Sequence, residues 1–303
     1  MSKAAMKEIR LPGEKQLAVR LDGAFKSAWR SYRWAFKRCQ KKLSRTTVHQ
    51  LRVETRRLLA LVDLFDPSLT GEAPVKISEF FRPPFKTSGR LRDTQVMLGN
   101  VEQRSGRFPE TKRFKKELLR QEKRLGRQLD RRLRRTRLKP LKNRMDALRK
   151  ELRAAMRETA GCHRAWVGLL KSVDRAFANA VARRRSIAST RPQAVHQTRV
   201  AFKKFRYMVE QLRPLMPRAA GGSAGKLRGY QKLMGDVQDC EMLLAALDEF
   251  MRGEKSEAGR LREFRASVKR DHATLMARYL RRADELLSFW RLPTLPVAGR
   301  QRK

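Results

Sequence analysis

Val48-His49-Gln50-Leu51-Arg52-Val53 and Val195-His196-Gln197-Thr198-Arg199-Val200 are identical at all but one position of this 303-residue chain. The two stretches lie 147 residues apart, since 196 − 49 = 147. Each runs on into a basic amphipathic segment, and each is followed by an aspartate in an apolar context at a similar interval (93 − 49 = 44 and 239 − 196 = 43). Self-similarity at a fixed interval indicates two copies of one structural unit.

The composition favours a folded, strongly cationic protein. A hydrophobic content of 41% in 303 residues is enough for a substantial core, and the length suits two units of about 150 residues each. The formal net charge is +43, from 73 Lys and Arg against 30 Asp and Glu. Such a charge repels itself in a compact fold unless counterions or a polyanion screen it. We therefore expect a negatively charged partner.

The cysteines and the hydropathy pattern bear on the cellular compartment. Cys39, Cys162 and Cys240 are widely spaced and form neither a disulfide pattern nor a zinc motif. The segment 1–10 has no apolar core of a signal peptide, and no apolar run approaches the length of a membrane span. These features predict a cytoplasmic protein without membrane insertion.

The periodicity is helical almost everywhere, with apolar residues at spacings of three and four and few β-branched runs, so the sequence predicts an all-α protein. Residues 1–158 form the first predicted unit and residues 159–303 the second. Breaks are expected at 66–74, at Pro109, at Pro140, near Pro192 and in the linker 214–225, and Pro83-Pro84 should kink or split its helix. The predicted helices are about 15–44, 46–65, 75–105, 110–137, 140–158, 162–188, 193–213, 223–251 and 255–291.

The segment 110–158 combines dense Arg and Lys with a stripe of Leu. This pattern is typical of a long solvated helical arm whose charged face needs no special function. The sequence leaves open whether the arm contributes to binding.

The first repeated stretch places its basic residues on one side of a helix. At roughly 100° per residue, His49, Arg52 and Arg56 fall within a sector about 60° wide. The apolar residues cluster near the opposite side, so the cationic stripe should face away from the core. The predicted core face consists of Leu51, Leu58, Val62 and Phe65.

The second stretch repeats this arrangement. His196, Arg199 and Lys203 occupy the same sector, and Tyr207 completes it. Phe202, Phe205, Val209 and Leu212 form the predicted buried face, while Arg57 and Lys204 flank the two stripes at equivalent positions. Like charges at spacings of three and four cost a helix a few tenths of a kcal/mol per pair. A phosphate-rich ligand would remove this repulsion.

A second element follows each stripe. The segment Arg90-Leu91-Arg92-Asp93 corresponds to Asp236-Val237-Gln238-Asp239, and a lysine stands seven residues before each repeated aspartate, at Lys86 and Lys232. Two helical turns place each lysine on the same side as its aspartate. We expect Asp93 and Asp239 to orient nearby basic side chains by ion pairing, although an ordinary salt bridge on the helix surface explains them equally well.

The two His-x-x-Arg helices, each followed by an Arg-Asp or Gln-Asp segment, resemble the CHAD family, the conserved histidine α-helical domain, over roughly residues 10–290. The resemblance implies two pseudo-symmetric antiparallel helical bundles around a basic central cavity, which binds inorganic polyphosphate and brings the protein to polyphosphate granules. Gln238 in place of Arg92, and Thr94-Gln95 after Asp93, depart from the family pattern. The primary ligand candidates that it implies are His49, Arg52, Arg56, Arg57, His196, Arg199, Lys203 and Lys204. The secondary ones are Lys86, Arg90, Arg92 and Lys232.

The chemistry of these side chains independently suits a polyphosphate. An Arg guanidinium binds two phosphoryl oxygens at once, and Lys supplies a mobile point charge. A neutral His donates one hydrogen bond, and its pKa should rise near a phosphate chain. By analogy with nucleic-acid backbones, such binding should weaken steeply with salt.

Nucleic acid is the first alternative ligand, because a pI of about 11.5 also suits a nucleic-acid or general polyanion-binding protein. Single-strand binding usually uses aromatic stacking platforms. Aromatic residues make up only 7% of the chain, and several of them, such as Phe65 and Phe202, lie on predicted apolar faces. The sequence also lacks zinc-finger, KH and RRM signatures.

A phosphate-processing enzyme is the second alternative. The chain contains no Gly-x-x-x-x-Gly-Lys-Ser/Thr loop, no Arg-His-Gly motif and no Glu-x-Glu-x-Lys motif. Only Asp93 and Asp239 lie near the repeated basic motif, whereas hydrolases usually cluster carboxylates or metal ligands. We expect a non-catalytic protein without metal or cofactor.

Overall fold

The computed structural model describes residues 14–65, 72–157, 159–186, 192–215 and 224–290. In these ranges the chain forms α-helices and three short 3-10 segments, at Pro109–Thr111, Arg213–Leu215 and Ala283–Ser288, and no strand. The prediction of an all-α fold is confirmed. The helices are α1 Glu14–Lys41, α2 Arg45–Val62, α3 Ala73–Arg104, α4 Lys112–Arg135, α5 Lys139–Ala155, α6 Thr159–Arg185, α7 Pro192–Leu212, α8 Ala224–Gly253, α9 Lys255–Ala258 and α10 Arg262–Arg282.

Local sequence explains several helix boundaries. Pro109 opens the 3-10 turn before α4, and Pro140 lies in the first turn of α5, where the missing N–H costs no helical hydrogen bond. The last predicted helix, 255–291, is instead divided at 259–261 and ends in a 3-10 segment. Most of the predicted break at 66–74, the residues before Pro192 and most of the linker 214–225 lie outside the described residues. After these segments α3 begins at Ala73, α7 at Pro192 and α8 at Ala224.

Of the expected kink or split at Pro83-Pro84, the split is wrong, because α3 continues through both prolines from Ala73 to Arg104. The kink stays a prediction. The two prolines remove only two backbone donors from a helix of 32 residues. Tertiary packing holds the turns around them. Phe81 is 1% exposed and packs edge-on against Tyr32 of α1, at 5.1 Å between ring centroids, and Ser88 is also buried.

The helices pack in the same order in the two halves of the chain. In the first half α1 packs on α2, α2 on α3 and α3 on α4. In the second half α6 packs on α7, α7 on α8 and α8 on α10. The halves also meet directly, through contacts of α2 with α7 and of α3 with α8. The helices that carry the two repeated motifs are therefore neighbours.

The buried apolar residues form two clusters, and both contain residues from each half. The larger one extends from Leu17 in α1 to Trp290 after α10. The smaller one joins Met97, Leu98 and Phe114 to Leu243 and Phe264. The apolar core is thus continuous between the two predicted units of the chain.

The expected solvated arm at 110–158 is not an arm, because α4 and α5 pack into the body of the protein. The Leu stripe of α4 is buried, with Leu125 and Leu129 at most 1% exposed, and Leu141 and Leu148 of α5 are fully buried. Only the opposite, charged faces of these helices meet solvent. The Leu stripe is a core face, since burying a Leu side chain contributes about 1.5–3 kcal/mol.

This packing predicts how leucine substitutions in α4 change the stability of the protein. Leu129→Ala should lower the free energy of unfolding by about 2–5 kcal/mol, because it deletes a fully buried side chain in the larger apolar cluster. Leu119→Ala, on the same helix at 43% exposure, should change it by less than about 1 kcal/mol. Urea denaturation followed by circular dichroism measures both. Equal small effects would contradict the packing of α4.

Candidate functional site

The first basic stripe lies on α2, whose start is fixed by a capping box. The backbone N–H of Thr47 donates to Ser44 Oγ at 3.2 Å, and the N–H of Ser44 donates to Thr47 Oγ1 at 2.9 Å. This cap satisfies two backbone donors that a helix start leaves free. The apolar side of α2 enters the core, with Leu58 fully buried. The cap thereby sets the register that presents His49 and the arginines after it on the opposite side.

Arg52 of α2 is held against α3. Its Nη1 donates to the backbone oxygen of Phe85 at 3.1 Å and to Ser88 Oγ at 3.3 Å. Its guanidinium carbon lies 4.6 Å from the centre of the Phe85 ring. A Cβ at Gly89 would lie 3.1 Å from Arg52 Nη1, so a glycine gives the guanidinium its room. Burial lowers the pKa of Arg52 despite the nearby carboxylate of Asp93.

Arg56 follows one turn later and shares the same aromatic ring. Its guanidinium carbon lies 4.9 Å from the centre of Phe85. Burial lowers the pKa of Arg56 to about 10, and the positive charges of Arg52 and Arg199 add to this shift. Two arginines against one aromatic ring gain cation–π attraction but repel each other. An anion placed between them would relieve the repulsion.

The second basic stripe, on α7, faces the first. Arg199 Nε is buried without a hydrogen-bond partner, and a Cβ at Gly235 of α8 would lie 3.9 Å from it. Lys203 is partly buried, and its pKa is lowered to about 6 by burial and then by the charges of Arg56, Arg199 and Arg52. The ammonium form is therefore disfavoured by the same like charges that surround it.

The two stripes converge where α2, α3, α7 and α8 meet. The packing of α2 against α7 brings cations of the two stripes together, since Arg199 contributes to lowering the pKa of Arg52 and Arg56, and these two arginines contribute to lowering that of Lys203. Arg92 of α3 belongs to this group, since it contributes to lowering the pKa of His49. We call this group the central basic cluster, and its members are His49, Arg52, Arg56, Arg92, Arg199 and Lys203.

The two repeated histidines differ in their surroundings. His49 is exposed at the edge of the cluster, and its pKa is lowered by partial burial and then by Arg92, Lys203 and Arg52. It is thus neutral in the protein at neutral pH. His196 is exposed and its Nδ1 contacts the side-chain oxygen of Gln238, the residue that replaces Arg92 in the second copy. Both histidines therefore lie beside the Asp-containing helices α3 and α8.

The repeated aspartates lie near the cluster without contacting its cations. Burial raises the pKa of both Asp93 and Asp239, although the arginines nearby oppose the shift. Neither carboxylate forms an ion pair within the described part of the chain, which differs from the expected direct pairing. The two carboxylates interact with Arg52, Arg92 and Arg199 electrostatically, without direct contact.

Six predicted ligand residues lie outside the cluster, namely His196 and five others. Three of them are exposed and have carboxylate partners: Arg57 with Glu54 at 2.8 Å, Lys204 with Asp63 at 3.0 Å, and Lys232 with Asp236 at 2.7 Å. Lys232 therefore pairs with the residue one turn on rather than with Asp239. Lys86 and Arg90 are exposed on α3.

The cluster also depends on residues that the sequence patterns did not single out. Phe85 lies under two guanidinium groups, and Gly89 and Gly235 each approach the arginine of a His-x-x-Arg motif. Each glycine precedes the repeated aspartate by four residues (93 − 89 = 4 and 239 − 235 = 4), a signal that could have found them. Arg206 is buried on α7, donates to Gln231 at 2.6 Å, and lies 4.2 Å from the Tyr207 ring.

Both halves of this helical arrangement are similar to known proteins. A family model described as the CHAD domain matches residues 35–248, a range that contains both basic stripes and both aspartates. The chain belongs to the CHAD family. Among curated proteins, none matches the sequence.

A solved structure supports the CHAD fold. The crystal structure of the CHAD domain from the plant Ricinus communis aligns with a TM-score of 0.62, covering 97% of this chain and 98% of that one. The sequence identity is 16%, so the likeness concerns the fold alone. The order of helices is thus shared with a CHAD domain although few side chains are.

The described residues of this CHAD protein also bear on membranes and metal ions. None of its described helices combines the length and apolar character of a membrane span. The same residues contain no group of three or more His, Cys, Asp or Glu side chains arranged to hold a metal ion.

Proposed function

We propose that the central basic cluster binds inorganic polyphosphate. The observation that carries this proposal is the convergence of Arg52 and Arg56 from α2 with Arg199 and Lys203 from α7. Burial and neighbouring positive charges lower the pKa of Arg52, Arg56 and Lys203, and the two nearby carboxylates pair with none of the four cations. A polyanion between the helices would neutralise charges that the fold leaves uncompensated.

The cluster suits a linear chain of phosphates in particular. Guanidinium groups form paired hydrogen bonds with phosphoryl oxygens, and the ammonium of Lys203 adds a mobile donor. The stripes lie on two neighbouring helices, so successive phosphates would meet cations from both sides. The family match adds weight, because CHAD domains are associated with polyphosphate. Of the predicted ligands, we assign the main role to the six members of the cluster and a peripheral role to Arg57, His196, Lys204, Lys86, Arg90 and Lys232.

The proposal includes the architecture and the cellular location that the sequence predicts. Two pseudo-symmetric helical bundles, 1–158 and 159–303, would together form one CHAD domain with a basic central cavity between them. The repeated packing order of α1–α4 and of α6–α8 with α10 supports the pseudo-symmetry. In the cell, the protein would be cytoplasmic and associated with polyphosphate granules.

We propose that binding occurs without catalysis. The repeated aspartates near the cluster are Asp93 and Asp239, and burial disfavours the ionised form of both. A hydrolase that uses metal ions would need several ionised carboxylates near the phosphate. Incubation of the protein with polyphosphate and divalent ions should therefore release no orthophosphate, as measured by a colorimetric assay. Sustained release above the protein-free rate would contradict this.

Competition between polyanions tests the proposed ligand. Labelled long-chain polyphosphate should bind at least about tenfold more tightly than duplex DNA or RNA of equal charge at physiological salt, because the flexible chain can follow the cations of α2 and α7 whereas a duplex is stiff. Fluorescence anisotropy measures these affinities over a range of salt concentrations. Equal affinities would identify a general polyanion-binding protein, which is the remaining alternative for a chain of net charge +43.

A further inference from the structure

We propose that α4 carries a second binding surface for the same polyphosphate chain, formed by Lys123, Arg127, Arg131 and Arg135. This inference rests on the proposed function. The four residues follow one another at intervals of four, so they form one row along a single face of α4. We call this row the α4 ladder.

The ladder lines two grooves between α3 and α4. The first has a volume of 720 Å³ and is lined by Lys123, Arg127 and Arg131 together with Leu91 and Gln95 of α3. Its two carboxylates, Glu122 and Asp130, pair with Arg45 and Arg134 rather than with the ladder. The second has a volume of 880 Å³ and is lined by arginines of α4 and its C-terminal end together with Phe80, Pro83 and Pro84 of α3. The arginines of the second groove are Arg131, Arg132, Arg135 and Arg137. Arg131 lines both grooves, which makes them successive sections of one surface.

The ladder residues have no carboxylate partner, whereas other arginines of α4 do. Arg120 pairs with Glu117 at 3.2 Å, and Arg134 pairs with Asp130 at 2.8 Å. Within the described parts of the chain, no ladder residue forms an ion pair. Like charges four residues apart destabilise a helix. The row therefore destabilises the unliganded protein, and a bound anion would remove this destabilisation.

The first groove leads towards the central basic cluster. Arg45, the first residue of α2, lines this groove and contributes to lowering the pKa of Arg92. His49 follows Arg45 by four residues, which is about 6 Å along a helix. Arg45 itself is paired with Glu102 at 2.8 Å. The junction is thus less positive than either end, and the two surfaces act as separate contacts for one chain.

Two linked contacts make the affinity depend on chain length. A phosphate oligomer that fills only the cluster gains nothing from α4. A longer chain binds the ladder intramolecularly once its first part is held, so its affinity rises without any new contact in the cluster. The ligand class assigned to this site is therefore long-chain polyphosphate, whereas the cluster alone accepts short oligomers.

A pair of charge-matched variants tests the ladder. The ladder variant replaces Lys123, Arg127, Arg131 and Arg135 by Gln. The surface control variant makes the same change at one Lys and three Arg that are exposed on α8 and α10, which are Arg228, Lys269, Arg270 and Arg278. Binding of tripolyphosphate, of long-chain polyphosphate and of duplex RNA is measured for both variants and for the unmodified protein by isothermal titration calorimetry at physiological salt.

The ladder variant should lose about tenfold to a hundredfold in affinity for the long chain relative to the surface control, which corresponds to one or two charged contacts. Its affinity for tripolyphosphate should equal that of the control. Equal long-chain affinities in the two variants would reject the ladder while leaving the central site in place. Loss of duplex RNA binding alone would overturn the proposal in favour of a nucleic-acid surface. Failure of the unmodified protein to bind either phosphate probe would instead reject the proposed function.

Discussion

Replacing Arg52, Arg56, Arg199 and Lys203 together by Gln should lower the affinity for long-chain polyphosphate by more than about a thousandfold. Each lost charge-assisted hydrogen bond is worth about 1.5–3 kcal/mol, and about 1.4 kcal/mol corresponds to a tenfold change in affinity. The salt dependence of any remaining binding should also become shallower, because fewer counterions are released. Anisotropy titrations at several salt concentrations measure both quantities.

The same substitutions should stabilise the unliganded protein. The cluster brings partly buried like charges together, and their lowered pKa values report the free-energy cost of keeping them charged. Gln retains a polar group without the charge, so the free energy of unfolding should rise by about 1 kcal/mol or more. Loss of binding together with gain of stability is the mark of a functional site rather than of a structural one.

The surface control variant separates this effect from a loss of total charge. It removes four positive charges at exposed positions of α8 and α10 and should lose less than about tenfold in affinity at physiological salt, where surface charges are screened. Its stability should change by less than about 1 kcal/mol. Equal losses of binding in the two variants would show that net charge, and not the cluster, holds the ligand.

The sequence predicted the helices and the opposed faces of the two motifs because both follow from local periodicity. Leu58 and Phe202, assigned to core faces, are fully buried, while Arg52 and Lys203 lie on the other side of their helices. The repeat interval also related Asp93 to Asp239. A pattern that recurs every turn needs no tertiary information to be recognised.

The errors concern features that tertiary contacts decide. The Leu stripe of α4 is compatible with a free arm or with a core helix, and only its contact with α3 distinguishes them. The continuity of α3 through Pro83 depends on packing around Phe81 that the sequence does not display. The aromatic support of Arg52 by Phe85 joins residues 33 positions apart in sequence, which a helical wheel of α2 cannot show.

The central basic cluster combines these two kinds of information. Local periodicity puts cations on α2 and α7, but the packing of α2 against α7 places them together and produces the pKa shifts. A basic stripe on an isolated helix would keep ordinary pKa values because solvent would screen it. The shifted titration of Lys203 is thus a property of the assembled fold, and it gives the cluster a measurable pH dependence.

Polyphosphate binding should be accompanied by the uptake of about one proton at pH 7.5. The pKa of Lys203 is lowered to about 6 in the unliganded protein, so its amine is mostly neutral at this pH. A phosphate chain beside it favours the ammonium form and raises that pKa. Affinity should therefore fall with increasing pH, by at most about tenfold per unit between pH 6.5 and 9. Calorimetry in buffers of different ionisation enthalpy counts the protons.

The charged and titratable groups around Lys203 come from three helices. They are His49, Arg52 and Arg56 of α2, Asp93 of α3, and Arg199, Arg206 and Tyr207 of α7. Lys203→Arg isolates the lysine, because a guanidinium stays charged throughout this range. It should bind at pH 9 as tightly as at pH 7 and take up less than about half a proton. An unchanged pH dependence in Lys203→Arg would assign the proton to another group, such as His49.

In the unliganded protein, the same titration of Lys203 should make the free energy of unfolding rise with pH, whereas the affinity for polyphosphate falls. The pKa of a lysine in the unfolded chain is about 10.4, so between pH 6.5 and 9 the unfolded state binds a proton that the folded state lacks. The free energy of unfolding should then increase with pH, by no more than about 1.4 kcal/mol per unit from this group. In Lys203→Gln the increase should be largely absent, since no titrating amine remains. Urea denaturation at a series of pH values measures the slope, and parallel slopes in the two proteins would mean that the Lys203 amine is charged in the folded state.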